Sequence, residues 1–118
     1  MPVYVVAQGR VENRDMLNEY VAKAIPTIRA GNGRILGFDE SPDVVEGEVG
    51  HPRTVILEFA SHEAFRAWYN SDAYQAILRL RLESTPGTLI VVDGLQGARD
   101  PKPALNDGMA RQAPKERM

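Results

Sequence analysis

Three short runs constrain the fold more than any other feature of the chain. Residues 3–6 read VYVV, residues 55–57 read VIL and residues 89–92 read LIVV. A strand with one face in water alternates apolar and polar side chains, because successive residues point to opposite faces. These runs do not alternate, so both faces of the sheet they build need cover. The remaining sequence supplies two helical regions, enough for one face. The second face calls for another layer, and a second copy of the same sheet under two-fold symmetry provides it.

The elements follow from local signals. Residues 3–8 are rich in β-branched and aromatic side chains and predict a strand. Asn13 suits a helix N-cap, with Asp15 in the first turn. Leu17, Tyr20, Val21, Ala24 and Ile28 then fall on one helical face. Pro26 removes a backbone donor and predicts a kink or an early end, and Gly31-Asn32-Gly33 predicts the stop. Residues 34–39 form a second strand, broken by Ser41-Pro42-Asp43. Residues 44–48 either continue it or pair beside it. Residues 54–59 (TVILEF) are a third strand. Ser61 caps a second helical region carrying Phe65, Trp68 and Tyr69, which Asn70-Ser71-Asp72 interrupts. Residues 73–82 resume it with Tyr74, Ile77 and Leu78 on one side and Arg79 and Arg81 on the other. Residues 88–93 (TLIVVD) are the last strand. The order β-α-β-(β)-β-α-β is the split plan of α+β ferredoxin-like folds: a four-stranded antiparallel sheet with its helices on one face.

Composition narrows the function classes. A chain of 118 residues that is 43% hydrophobic and 25% charged fits one ordinary globular domain. No cysteine is present, which removes disulfides, thiolate catalysis and cysteine-held metals. The opening MPVYVVAQGR lacks the pattern of a signal peptide, and no apolar stretch approaches the roughly 20 residues that span a bilayer. The expected location is the cytoplasm, with no membrane partner. Net charge is −2 and no face concentrates Lys and Arg, against nucleic-acid binding. Residues 1–94 are expected to form the domain. From Leu95 to residue 118 the chain has three prolines, no aromatic residue, five basic and three acidic side chains. That composition predicts an extended tail. Its net +2 leaves −4 on the first 94 residues, so it suits a basic arm lying on an acidic partner subunit.

The chain also resembles the domain-of-unknown-function-1330 family, placed among the dimeric α+β barrels. The resemblance is carried by the VYVVAQGRV opening, the helix ending before Gly31-Asn32-Gly33-Arg34, and Val45-Glu46-Gly47. Arg53 leading into VILEF, Ser61, and the run Trp68-Tyr69-Asn70-Ser71-Asp72-Ala73-Tyr74-Gln75 complete it. It implies a fold and a homodimer with no settled activity. The wider superfamily includes cofactor-free monooxygenases, lactone isomerases and haem enzymes.

Candidate site residues come from the residue types themselves. Trp68, Tyr69 and Tyr74 could wall a cleft between helices and sheet, since their polar tips seek partners when buried; the same spacing also suits plain core aromatics. Glu58 interrupts the apolar run TVILEF. A carboxylate there needs a partner such as Arg34 or Arg53, either as a structural ion pair or as a general base or acid. Either arginine could instead hold a substrate carboxylate. His51, in a loop beside Pro52 and Arg53, has the side chain best suited to proton transfer near neutrality. His62 is expected to be exposed. His62-Glu63 does not extend to H-E-x-x-H, because residue 66 is Arg, and no metal site is expected. Ser71 reads as a helix cap rather than a nucleophile, and Gly31-Asn32-Gly33 as a turn rather than a phosphate loop. The resulting expectation is an enzyme without metal or organic cofactor, acting on a small organic acid, lactone or enolisable carbonyl compound by isomerisation, hydrolysis or oxygenation. Glu58 or His51 would move the proton and Arg34 or Arg53 would hold the anion. The alternative is a non-catalytic binding or stress-associated dimer.

Overall fold

The computed structural model describes residues 1–95. Strand β1 (Val3–Gly9), helix α1 (Arg14–Ala30), strands β2 (Arg34–Asp39) and β3 (Arg53–Phe59), helices α2 (His62–Tyr69), α3 (Asp72–Gln75) and α4 (Leu78–Ser84), and strand β4 (Gly87–Asp93) follow in that order. The strands form one antiparallel sheet in the order β2-β3-β1-β4. The expected plan is therefore present, with helices packed on one face.

Capping agrees with the residue types. The Asn13 carboxamide accepts the Met16 N–H at 3.1 Å, and the Ser61 hydroxyl accepts the Ala64 N–H at 3.0 Å. Ser71 accepts the Tyr74 N–H at 3.2 Å. Each supplies an oxygen to a donor that the helix cannot satisfy itself. α1 does not end at Pro26; it runs on to Ala30. Pro26 and Ala22, whose carbonyl loses its partner, are both on the exposed side, where water replaces the lost bond. The helix closes with Asn32 in the left-handed conformation at φ 62° and Gly33 N–H on the Ile28 carbonyl at 2.8 Å. A side chain at Gly33 would meet the Phe59 ring at 2.7 Å, so close packing sets that glycine.

Residues 44–48 form no strand. They lie in a loop that runs from residue 40 to residue 52, with Val44 and Val45 exposed and Gly47 at φ 83°. Among the described residues both valines stay at the surface, and Gly47 takes the loop out of extended geometry.

The two sheet faces differ sharply. Val3, Val5, Leu57 and Phe59 are 0–5% exposed and meet Phe65, Trp68, Tyr74, Ile77 and Leu80 in the core beneath the helices. The intervening residues point the other way, in three rows set by the ladder register. Ile56, Val6 and Ile90 form the middle row. Arg34, Glu58, Tyr4 and Val92 form one flanking row, and Thr54, Gln8 and Thr88 the other. In the single chain Ile56, Ile90 and Val92 remain 36%, 54% and 45% exposed. Among the described residues no helix is long and apolar enough to cross a membrane. Apart from Leu95, the expected tail lies outside the described residues.

Candidate functional site

A cavity of about 770 Å3 lies between α1 and the helix-bearing face of the sheet. Its walls are mainly aliphatic: Leu17, Val21, Ala24, Ile25 and Ile28 from α1, and Val5, Ala7, Val55, Leu57 and Leu89 from the strands. α1 packs along α4, and its Ala24 and Ile28 join the core under the sheet beside this space. The volume is within the range of small-molecule pockets.

The polar groups of the cavity lie on β2, β3, α1 and α4. Arg53 is the first residue of β3, and its guanidinium is over the Phe38 ring at 5.0 Å. Its side chain is 11% exposed and its Nε is 3.4 Å from a Glu40 oxygen. That Nε is buried and makes no hydrogen bond, so the contact is an ion pair by proximity alone. Burial lowers the Arg53 pKa from its ordinary value while Glu40 opposes the shift. Glu40 accepts both terminal nitrogens of Arg14, at 2.9 and 2.8 Å. The bidentate bond to Arg14 holds the Glu40 carboxyl below its ordinary pKa, with Arg53 adding to the effect.

Tyr20, Tyr74 and Arg81 make the second polar group. The Tyr20 and Tyr74 hydroxyls are 2.7 Å apart, and Arg81 Nε donates to the Tyr74 hydroxyl at 3.2 Å. Tyr20 and Arg81 line the cavity. Burial is the main cause of a strong upward shift in the Tyr20 pKa, so this phenol stays protonated.

The sequence-derived candidates separate onto two faces. Arg53 and Trp68 line the cavity, and Tyr74 touches it through Tyr20. Trp68 is 3% exposed, donates its indole N–H to Thr27 at 3.0 Å and stacks on Phe59. Tyr69 stacks on Phe65 at the end of α2 and does not line the cavity. Glu58 and Arg34 are on the opposite sheet face. There Arg34 pairs with one Glu58 oxygen at 3.0 Å and the Tyr4 hydroxyl donates to the other at 3.1 Å. Arg53, the other partner considered for Glu58, faces away from it. His51 belongs to the 40–52 loop and does not line the cavity. Glu58, Arg34 and Tyr69 therefore share no common cleft. His62 is half-exposed and pairs with Asp93 at 2.6 Å. Among the described residues no cluster of three or more His, Asp or Glu side chains could hold a metal ion.

Glu40, Tyr20 and Arg81 escaped the sequence reading. A signal for Tyr20 existed: it is the one residue with a polar tip among the core-facing positions of α1. Arg81, expected on the side opposite Tyr74, lies on the same side and bonds its hydroxyl; seven residues are close to two full helical turns, so the helical period itself carried that signal.

Comparison with known proteins agrees with this fold. Residues 2–95 match the family model "Domain of unknown function (DUF1330)". The chain belongs to that family. No curated protein matches it in sequence. Among solved structures, a protein of unknown function from Rhodopseudomonas palustris superposes with a TM-score of 0.70 at 15% identity, over 81% of this chain and 84% of that one. SnoaB, a cofactor-independent oxygenase from Streptomyces nogalater, gives 0.53 at 12% identity over 84% and 98%. A dimeric ferredoxin-like protein of unknown function from Thermobifida fusca gives 0.53 at 14% over 78% and 88%. At these identities the likeness extends to the fold.

Proposed function

We propose that this member of the family works as a homodimer that takes a small, partly apolar organic compound into the cavity beside α1. The observation that carries the reading is the cavity itself, aliphatic along its walls and furnished with arginine and tyrosine donors. Donors fixed in an apolar site stabilise negative charge that develops on a bound carbonyl, which is the need shared by isomerisation of an enolisable compound, lactone opening and cofactor-free oxygenation. Arg53 and Tyr20 would hold that oxygen and Trp68 would shape the wall. That a cofactor-independent oxygenase has the same fold supports the oxygenation branch of this reading by analogy. The apolar row on the open sheet face supports the homodimer.

A second reading, a non-catalytic receptor, draws on the choice of proton acceptors. The carboxylates at the cavity are Asp39 and Glu40, and Glu40 is committed to Arg14 and Arg53. Glu58 and His51 could move a proton only for a substrate that reaches beyond the cavity. A thermal-shift screen of small organic acids, lactones and β-dicarbonyl compounds, followed by turnover assays on the hits, separates the two. Turnover lost in Arg53→Met supports the enzyme, and binding without turnover supports the receptor. If no compound raises the melting temperature, both readings fall.

A further inference from the structure

The cavity carries an unbalanced charge, and its position defines what the cavity should hold. Arg14, Arg53 and Arg81 line it against Asp39 and Glu40, three positive groups against two negative. Glu40 engages Arg14 and Arg53 together. Arg81 has no carboxylate within ion-pair distance among the described residues, although it is largely enclosed and bonds the wholly buried Tyr74. Burial disfavours this charge and the neighbouring tyrosine oxygens offset that cost, so the guanidinium stays charged and no carboxylate among the described residues balances it.

Burial selects the direction of the hydroxyls beside it. Tyr74 is wholly buried and accepts from Arg81; of the two directions open to the 2.7 Å Tyr20–Tyr74 pair, the one in which Tyr74 donates leaves no proton stranded in the core. The Tyr20 proton is then left without an acceptor among the described residues. The Arg81–Tyr74–Tyr20 chain therefore ends in a donor at the cavity wall. The buried Nε of Arg53 is a further donor without a hydrogen bond.

We propose that Arg81 and Tyr20, with Arg53, form an anion subsite that takes the head group of an organic monocarboxylate, whose apolar body lies along Val21, Ala24 and Ile28. One unbalanced positive charge matches one carboxylate, and the aliphatic walls beyond it exclude a second charge. A neutral lactone or ketone would leave Arg81 without its counter-ion. The assignment rests on the cavity being a ligand site, and it adds which ligand class enters and which way round.

Isothermal titration of the full chain with octanoate, octanamide and octylamine tests it. Octanoate should bind roughly tenfold or more tightly than octanamide, as one charge-assisted hydrogen bond lost implies, and octylamine should not bind. Tyr20→Phe and Arg81→Met should each reduce the preference for octanoate over octanamide, Arg81→Met abolishing it. If Arg81→Met loses its circular dichroism signal, Tyr20→Phe and Arg81→Lys decide, the lysine retaining part of the preference. Equal binding of octanoate and octanamide overturns the anion subsite but leaves the cavity as a ligand site. Octanoate binding unchanged in Tyr20→Phe and Arg81→Lys overturns the residue assignment. Failure of all three probes to bind overturns the subsite, and with a blank thermal-shift screen it overturns the cavity reading as well.

Discussion

Glu40 receives two arginines from different parts of the chain, Arg14 from the start of α1 and Arg53 from the start of β3. Its carboxyl is held below its ordinary pKa in the folded protein. A carboxyl with a depressed folded pKa stabilises the fold above its unfolded pKa, about 4.3, and that contribution disappears as pH falls through the folded value. Glu40→Gln should therefore lower the melting temperature at pH 7, and the gap to the parent protein should close on acidification below about pH 4. Melting curves of both proteins from pH 7 to pH 3 check this; a gap that is constant with pH would show that packing, not charge, is lost. Glu58 shows how far one residue can be read from sequence. Its need for a partner was legible from the apolar run around it, and Arg34 answers it. Its separation from Arg53 was also legible, since residues five apart in a strand face opposite ways.

At the scale of elements, α1, α2 and α3 begin at side chains that cap them, whereas α4 starts after Ile77 without one. Ser61 starts α2 and carries Phe65 and Trp68 into the core. Ser61→Ala should cost about 1 kcal/mol of stability, seen as a lower urea midpoint with an unchanged slope. A larger demand falls on Gly87, at the start of β4. A Cβ there would be 1.9 Å from the Gln8 carbonyl oxygen, and that atom belongs to the β1 backbone and cannot turn aside. Gly87→Ala should either prevent expression of folded protein or displace the β1–β4 ladder, detectable as early amide exchange along β4. Pro26 shows the limit of element-level reading: of the two outcomes a proline allows, an early end did not occur, because it falls on the wet side and α1 runs on to Ala30. Arg81 shows the opposite, since seven residues from Tyr74 are close to two helical turns and the period alone places both on one side.

The whole molecule is decided by the sheet's second face. Its middle row is apolar, and Tyr4, Arg34 and Glu58 on one side and Gln8, Thr54 and Thr88 on the other give it a polar border. An apolar centre with a polar rim is the anatomy of a protein interface. A charge at that centre would be buried without a partner in the dimer yet solvated in a monomer. Ile56→Asp combined with Ile90→Asp should weaken association at least about tenfold, while the helix-side core and its circular dichroism spectrum persist. Sedimentation at micromolar concentration provides the measurement. A parent protein that sediments as a monomer would end the dimer proposal; a double variant still dimeric would place the interface on another face.

The sequence by itself determined the element order, the starts of α1, α2 and α3, and the two-sided demand of the strands. Each of these depends on periodicity or capping within a few residues. Which candidate residues meet was left to the tertiary structure. Strand register puts Arg34 opposite Glu58, the 40–52 loop brings Glu40 back to Arg53, and the packing of α1 on α4 brings Tyr20 to Tyr74 and Arg81. These encounters join residues far apart in the chain. Local patterning does not specify them, so the polar end of the cavity became visible only once the sheet and helices were closed around it.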